Sequence, residues 1–258
     1  MINLAANLTM MFNEVDFLDR FELASRHNFK GIEYLFPYDY PVDQILNKLE
    51  ENNLQQVLFD LPAGNWESGD RGIAVQPERK GEFQDSVGLA IEYAESLNCK
   101  RLTCLAGIPT NKTDDDLVKR TLIENLKFAT NNLISTDIVL LLEPINTIDI
   151  NGFYVTTTSQ ALEIINDVGS NNLKLQYDIY HMQIMEGNII RTIGKNLEFI
   201  HHFQIADNPG RNEPGTGEIN YPFILKYVDK IGYENWVGCE YYPTKTTQES
   251  LIWADIWL

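Results

Sequence analysis

Short β-rich apolar runs alternate with longer segments of helical periodicity along the whole 258-residue chain, and eight such pairs are present. The predicted strands are residues 2–6, 31–34, 56–60, 100–104, 138–143, 173–178, 199–204 and 236–240. Between them, apolar residues recur three and four apart, as in Phe83, Val87, Ile91, Ala94 and Leu97, and again in Leu122, Leu126, Ala129 and Leu133. Thr113, followed by Asp114, Asp115 and Asp116, predicts a helix start, with Thr113 as cap and the acids as favourable first-turn charge. Each unit takes about 32 residues, and no linker, charge block or shift of composition divides the chain. Residues 1–258 are therefore expected to form one α/β domain, a (β/α)8 TIM barrel. The open, doubly wound alternative would carry G-x-G-x-x-G after its first strand, and the chain has none there. The main irregular insertion is residues 61–74, LPAGNWESGDRGIA, which suits a lid or a rim loop.

Charge excludes several partners. With 37 acidic against 20 basic residues, the formal net charge is −17, which repels nucleic acid and anionic membranes at range. No apolar run approaches the roughly 18 residues of a membrane span. The stretch before Arg20 has no Lys or Arg, so it lacks the basic start of a secretion signal. Cys99, Cys104 and Cys239 are odd in number and sit in apolar stretches, as expected for buried thiols in a reducing cytoplasm. A small-molecule substrate is the expected partner. Trp253 and Trp257, near the end, offer apolar surface either to the barrel or to a second copy in a homo-oligomer.

In a barrel of this type the reacting groups stand at the C-terminal ends of the strands. Four successive strands end on polar residues: Glu143, Asp178, Gln204 and Glu240. They are separated by 35, 26 and 36 residues, each close to one unit, so all four meet around one rim. By strand alternation, Glu143 shares its side with Leu141 and Val139, and Gln204 shares its side with His202 and Ile200. Three crowded carboxylates repel one another unless a cation neutralises them. Carboxylates plus an amide oxygen form an all-oxygen set, which favours Mg²⁺ or Mn²⁺ over Zn²⁺.

A family resemblance is carried by ANLTMMF (6–12), LFPYDY (35–40), LPAGNW (61–66), EPIN (143–146), YDIYHMQ (177–183), QIADNPGRNEPGTGEINY (204–221) and WVGCEY (236–241). Through these blocks the chain resembles the hydroxypyruvate isomerases, within the wider group of barrels that includes xylose isomerase and the ketose 3-epimerases. It implies a divalent metal held by Glu143, Asp178, Gln204 and Glu240, with the two glutamates also moving protons. The implied reaction turns hydroxypyruvate into tartronate semialdehyde through an enediolate. His181, three residues past Asp178, is expected above the metal as a donor to a substrate oxygen. Arg211 is expected to grip the substrate carboxylate, with Arg71 a weaker competitor.

Two departures stand out. The epimerases place a His where this chain has Gln204, and Phe59 and Asp60 stand where close relatives are expected to have His and Asn. The 2-oxotetronate isomerases share the opening and closing blocks and form the near alternative. His202 reads as a supporting residue rather than a ligand, Glu33 as an acidic strand end on the same rim that could support the site, and Trp66 as a residue that either closes over the substrate or packs its loop onto the barrel. A barrel nuclease would want a basic groove and several His ligands, whereas this chain has four His in all. A barrel that only binds small molecules would be expected to lack one of the ligands or proton-transfer groups. A cyclic polyol dehydratase could share both metal and glutamates.

Overall fold

The computed structural model describes residues 2–110 and 113–258. Eight parallel strands close into a barrel in chain order: β1 (Asn3–Asn7), β2 (Gly31–Glu33), β3 (Gln55–Asp60), β4 (Arg101–Cys104), β5 (Val139–Leu142), β6 (Leu173–Asp178), β7 (Ile200–Ile205) and β8 (Trp236–Cys239). All eight coincide with the expected runs, and no strand end moves by more than one residue. The ring is sealed by β8 on β1, with Leu4 opposite Val237 and Ala6 opposite Cys239. Helices α1 (Arg20–Arg26), α2 (Val42–Asn52), α3 (Lys80–Ser96), α4 (Asp115–Asn132) and α5 (Thr158–Val168) follow the first five strands. Then come α6 (Ile179–Met185) and α7 (Ile189–Asn196) after β6, α8 (Tyr221–Lys230) after β7, and the one-turn α9 (Thr247–Ser250) after β8.

Most of the core lies between helices and barrel. Phe83, Val87, Ala90 and Ala94 of α3, and Leu122, Leu126 and Ala129 of α4, are buried in one cluster with Leu102, Leu140 and Leu142. Each fully buried Leu or Phe contributes roughly 1.5–3 kcal/mol, so this layer dominates stability. The start of α4 departs from expectation. Asp114, not Thr113, is the cap: its backbone is extended and its carboxylate accepts from Leu117 N–H at 3.3 Å. Thr113 belongs to the preceding turn, its hydroxyl 2.6 Å from that of Thr110.

Inside the barrel, the apolar filling is a small cluster of Ala5, Val57, Leu58 and Leu141, joined by Val139 and Trp236. The expected inward side of β5 is therefore observed. Above this plug the interior turns polar, with Glu33, Thr103, Gln176 and His202 all buried. Gly238 makes that possible, because a Cβ there would lie 2.2 Å from Glu33 Oε1. Gly238→Ala should lower the unfolding free energy by roughly 1–3 kcal/mol, the usual cost of overpacking. Urea denaturation measures it, and an unchanged midpoint would mean that Glu33 has room to move aside.

The 61–74 segment is a pinned rim loop. Asp70 accepts from Asn65 N–H at 2.7 Å and from Arg79 at 2.8 Å, and Gly72 N–H donates to Ala63 O at 3.1 Å. At the C-terminal end, Trp253 packs edge-on against Tyr241, while Ile252 and Ile256 are exposed. The three cysteines are free and buried. Among the described residues, no helix is long and apolar enough to cross a membrane.

Candidate active site

Because β5 to β8 are neighbours in the ring, the residues that end them converge on one mouth. Glu143 follows β5, Asp178 ends β6, Gln204 lies in β7 and Glu240 follows β8. All four are buried. One atom from each of Glu143, Asp178, His181 and Glu240 falls within a group whose members lie no more than 4.8 Å apart. Glu143, His181, Arg211 and Glu240 line a cavity of about 570 Å³, together with Asp60, Trp66, Arg71 and Tyr180.

The electrostatics of this cluster are unfavourable as it stands. Burial, reinforced by Glu240, Asp178 and Asp60, pushes the Glu143 carboxyl well above the ordinary range. Burial likewise raises Glu240 to about 8 against the pull of Arg211, and raises Asp178 to about 6 against Arg211 and two backbone N–H groups. Asp60 is raised by burial and by Glu240. Moreover, Glu143 Oε1 and Asp178 Oδ2 are buried and make no hydrogen bond to the described residues. Oxygen atoms that accept only, face one another and lack a proton partner suit a hard divalent cation, so the donor set fits a metal centre.

Glu240 is held more firmly. Its Oε1 accepts from Asn7 at 3.0 Å and from Gln204 at 3.1 Å, and its Oε2 accepts from Arg211 at 2.7 Å. Asn7 and Gln204 also donate to Glu33 Oε1, whose partner oxygen lies 2.7 Å from His202 Nε2. Glu33 and His202 thus form a buried support under Glu240. The Gln204 amide oxygen is turned away from the carboxylates and accepts from Gln176 at 2.6 Å. Coordination through that oxygen therefore requires the amide to turn about its last bond.

His181 is placed by Asn146. The Asn146 side-chain oxygen accepts the backbone N–H groups of Ile148 at 2.9 Å and Asp149 at 2.7 Å. Its NH₂ group is thereby aimed at His181 Nδ1, 2.6 Å away. A ring nitrogen facing an NH₂ group must accept, so the imidazole proton sits on Nε2. Nε2 in turn lies 3.5 Å from Asp178 and 3.9 Å from Glu143. Burial, then Arg211, lowers the His181 pKa well below that of free histidine, so the ring is a neutral donor. A nitrogen carrying a proton cannot ligate a metal.

Arg211 sits in the left-handed backbone region at φ 54°. Its loop is tied down by Asp207, whose carboxylate accepts from the N–H groups of Gly215, Gly217 and Ile219 at 2.8–2.9 Å. Burial opposes the Arg211 charge, but Glu240, Asp178, Glu143 and Asp149 outweigh it and raise its pKa. Its guanidinium is thus already surrounded by carboxylates of the protein.

The model of the xylose isomerase-like TIM barrels matches residues 21–256. The hydroxypyruvate isomerase of Escherichia coli (strain K12) is 50% identical over 255 residues, 99% of each chain. The chain belongs to the hydroxypyruvate isomerase family. The 2-oxo-tetronate isomerase of Cupriavidus necator is 39% identical over 254 residues, 98% of each chain. A Brucella melitensis crystal structure described as an AP endonuclease of family 2 superposes with a TM-score of 0.97 at 42% identity, covering 100% of this chain and 99% of that one.

This hydroxypyruvate isomerase family member is thus an isomerase. Asp60, noted from sequence as a departure, lines the site, and beyond the residues singled out from sequence the site contains Asn7, Asn146, Asp149 and Gln176. Asn7 and Asp60 carried a usable signal, since both are polar ends of apolar strands, as Glu143 and Asp178 are. Asn146 carried none, because its effect depends on two backbone N–H groups that only the folded turn brings to it.

Proposed function

We propose that this protein interconverts hydroxypyruvate and tartronate semialdehyde. The supporting observation is the cluster of buried carboxylates, two of whose oxygens make no hydrogen bond to the described residues, in a chain half identical to an enzyme of that name. Glu143, Asp178, Gln204 and Glu240 would hold a divalent cation, Mg²⁺ or Mn²⁺. When bound, that ion supplies Lewis acidity toward negative charge on the substrate oxygens.

The chain's own groups account for the proton movements. Glu143 and Glu240 both reach the cavity, one to take a proton from C3 of hydroxypyruvate and the other to return one to C2. Between these steps the C3 hydroxyl loses its proton and the C2 oxygen gains one, giving an aldehyde beside a secondary alcohol. Carboxylates raised by burial are stronger bases than free ones, which suits abstraction next to a carbonyl. His181 Nε2–H is the donor aimed at a developing negative oxygen. Arg211 holds Glu240 in place and adds positive charge beside it.

The cavity of about 570 Å³ has room for more than a three-carbon acid, which favours 2-oxotetronate as the second reading. A nuclease reading finds little support in a −17 chain with one His in the cluster. Proton NMR of hydroxypyruvate in D₂O, with chelator-treated protein before and after Mg²⁺, tests the proposal. We expect Mg²⁺-dependent loss of the C3 proton signal and growth of tartronate semialdehyde. Exchange without product would move the substrate to 2-oxotetronate, and no exchange with either Mg²⁺ or Mn²⁺ would overturn the reading.

A further inference from the structure

Two guanidinium groups line the cavity, and only one of them is answered by carboxylates. Arg211 lies 2.7 Å from Glu240, 3.5 Å from Asp149 and 4.0 Å from Asp178. Arg71, from the rim loop, makes no ion pair among the described residues, since the adjacent Asp70 is taken by Arg79 at 2.8 Å. Its Nη1 donates to the carbonyls of Trp66 at 2.9 Å and Asp70 at 2.6 Å, and its guanidinium carbon lies 4.1 Å from the centre of the Trp66 ring. The group is therefore fixed before any ligand arrives. Its Nε–Nη2 edge makes no hydrogen bond to the described residues, and that edge has the fork geometry of bidentate carboxylate binding.

We propose that Arg71, rather than Arg211, binds the substrate carboxylate and makes the site select 2-keto acids over uncharged ketoses. This assignment rests on the isomerase reading above. The cavity is walled by Asp60, Glu143 and Glu240, so an anionic substrate is repelled unless a cation of its own receives it. An uncharged ketose needs no such group. With the acid end on Arg71, the hydroxyketone end is left for Glu143 and Glu240. Pre-fixing by two carbonyls and the Trp66 face limits the ordering cost of binding.

Steady-state kinetics of the Mg²⁺-loaded protein would compare wild type, Arg71→Met and Arg71→Lys. The substrates are hydroxypyruvate and dihydroxyacetone, in which a hydroxymethyl replaces the carboxylate. A charge-assisted contact made equally in ground and transition states appears in KM. Arg71→Met should raise KM for hydroxypyruvate about 10- to 100-fold with little change in kcat, and Arg71→Lys should recover part of the loss. Any effect on dihydroxyacetone should stay within about threefold. Equal losses on both substrates would reduce Arg71 to a loop brace and overturn the proposal, as would an unchanged KM. Calorimetric binding of D-glycerate, which carries the carboxylate but no ketone, separates this failure from that of the isomerase reading. Wild type that binds D-glycerate at least tenfold tighter than Arg71→Met, yet leaves hydroxypyruvate unconverted, sinks the isomerase reading and keeps Arg71 as the anion site. Equal D-glycerate affinity in both proteins overturns the Arg71 assignment.

Discussion

Glu143→Gln should lower kcat for hydroxypyruvate by about 10²- to 10⁴-fold, the usual loss when a general acid or base is removed. The substitution keeps shape and removes a charge and a proton-accepting oxygen at the cavity wall. Under the proposed metal assignment, one anionic ligand fewer should also weaken Mg²⁺ binding, so kcat must be compared at saturating metal. Stability distinguishes this from misfolding. Burial and the neighbouring carboxylates raise the Glu143 pKa, so ionisation costs the folded chain. Stability from the protonated form is complete below the unfolded carboxyl's pKa and is lost as pH rises through the raised folded value. Gln never ionises, so in chelator the variant should melt no lower than wild type at pH 8. Near-native turnover with Mg²⁺ bound would remove Glu143 from the chemistry.

Asn146→Asp is expected to be nearly as damaging without touching a carboxylate of the cluster. One oxygen of the new side chain keeps the Ile148 and Asp149 N–H groups, while the other faces His181 Nδ1 where an NH₂ stood. An acceptor there draws the ring proton to Nδ1 and leaves a lone pair on Nε2. The donor is lost, and kcat should fall about 10²- to 10⁴-fold, as wrong-tautomer substitutions do elsewhere. A bare imidazole nitrogen beside Asp178 and Glu143 should also shift metal preference toward Zn²⁺. Nitrogen-15 NMR of the His181 ring reads the tautomer directly, since protonated and bare ring nitrogens resonate far apart. Unchanged ring signals together with unchanged kcat would show that Asn146 only braces the turn. Asn146→Ser, too short to reach the ring, should leave a tautomer mixture and a smaller loss.

The barrel was legible because its periodicity is repeated eight times, so errors in one unit are corrected by its neighbours. The four strand-end residues followed from the same regularity. Parity along β5 placed Glu143 with Val139 and Leu141 on the inner side, where the apolar plug lies. What stayed hidden is which side chains pair with which, because that depends on closure or on backbone. Asn7 and Glu33 reach Glu240 and Gln204 only because the ring brings the first strands against the last. Arg211 looked open for substrate because the carboxylates that surround it come from three other segments. Thr113 lost its expected cap role to Asp114 by one position, a choice decided by local backbone geometry.

The Asn7–Glu240 hydrogen bond spans 233 residues of chain. A ribosome therefore adds 233 residues after Asn7 before this pair can meet, and a chain stopped between Asp178 and β8 has the other carboxylates without the strand that seals them in. Chemistry at this mouth is consequently all-or-none with respect to synthesis: premature termination before β8 should yield products that are inert rather than partly active or promiscuous. The joint between β1 and β8 also makes these two strands the least forgiving place to cut. Loops on the opposite end of the ring, remote from the reacting groups, are where new chain ends could be introduced with activity retained.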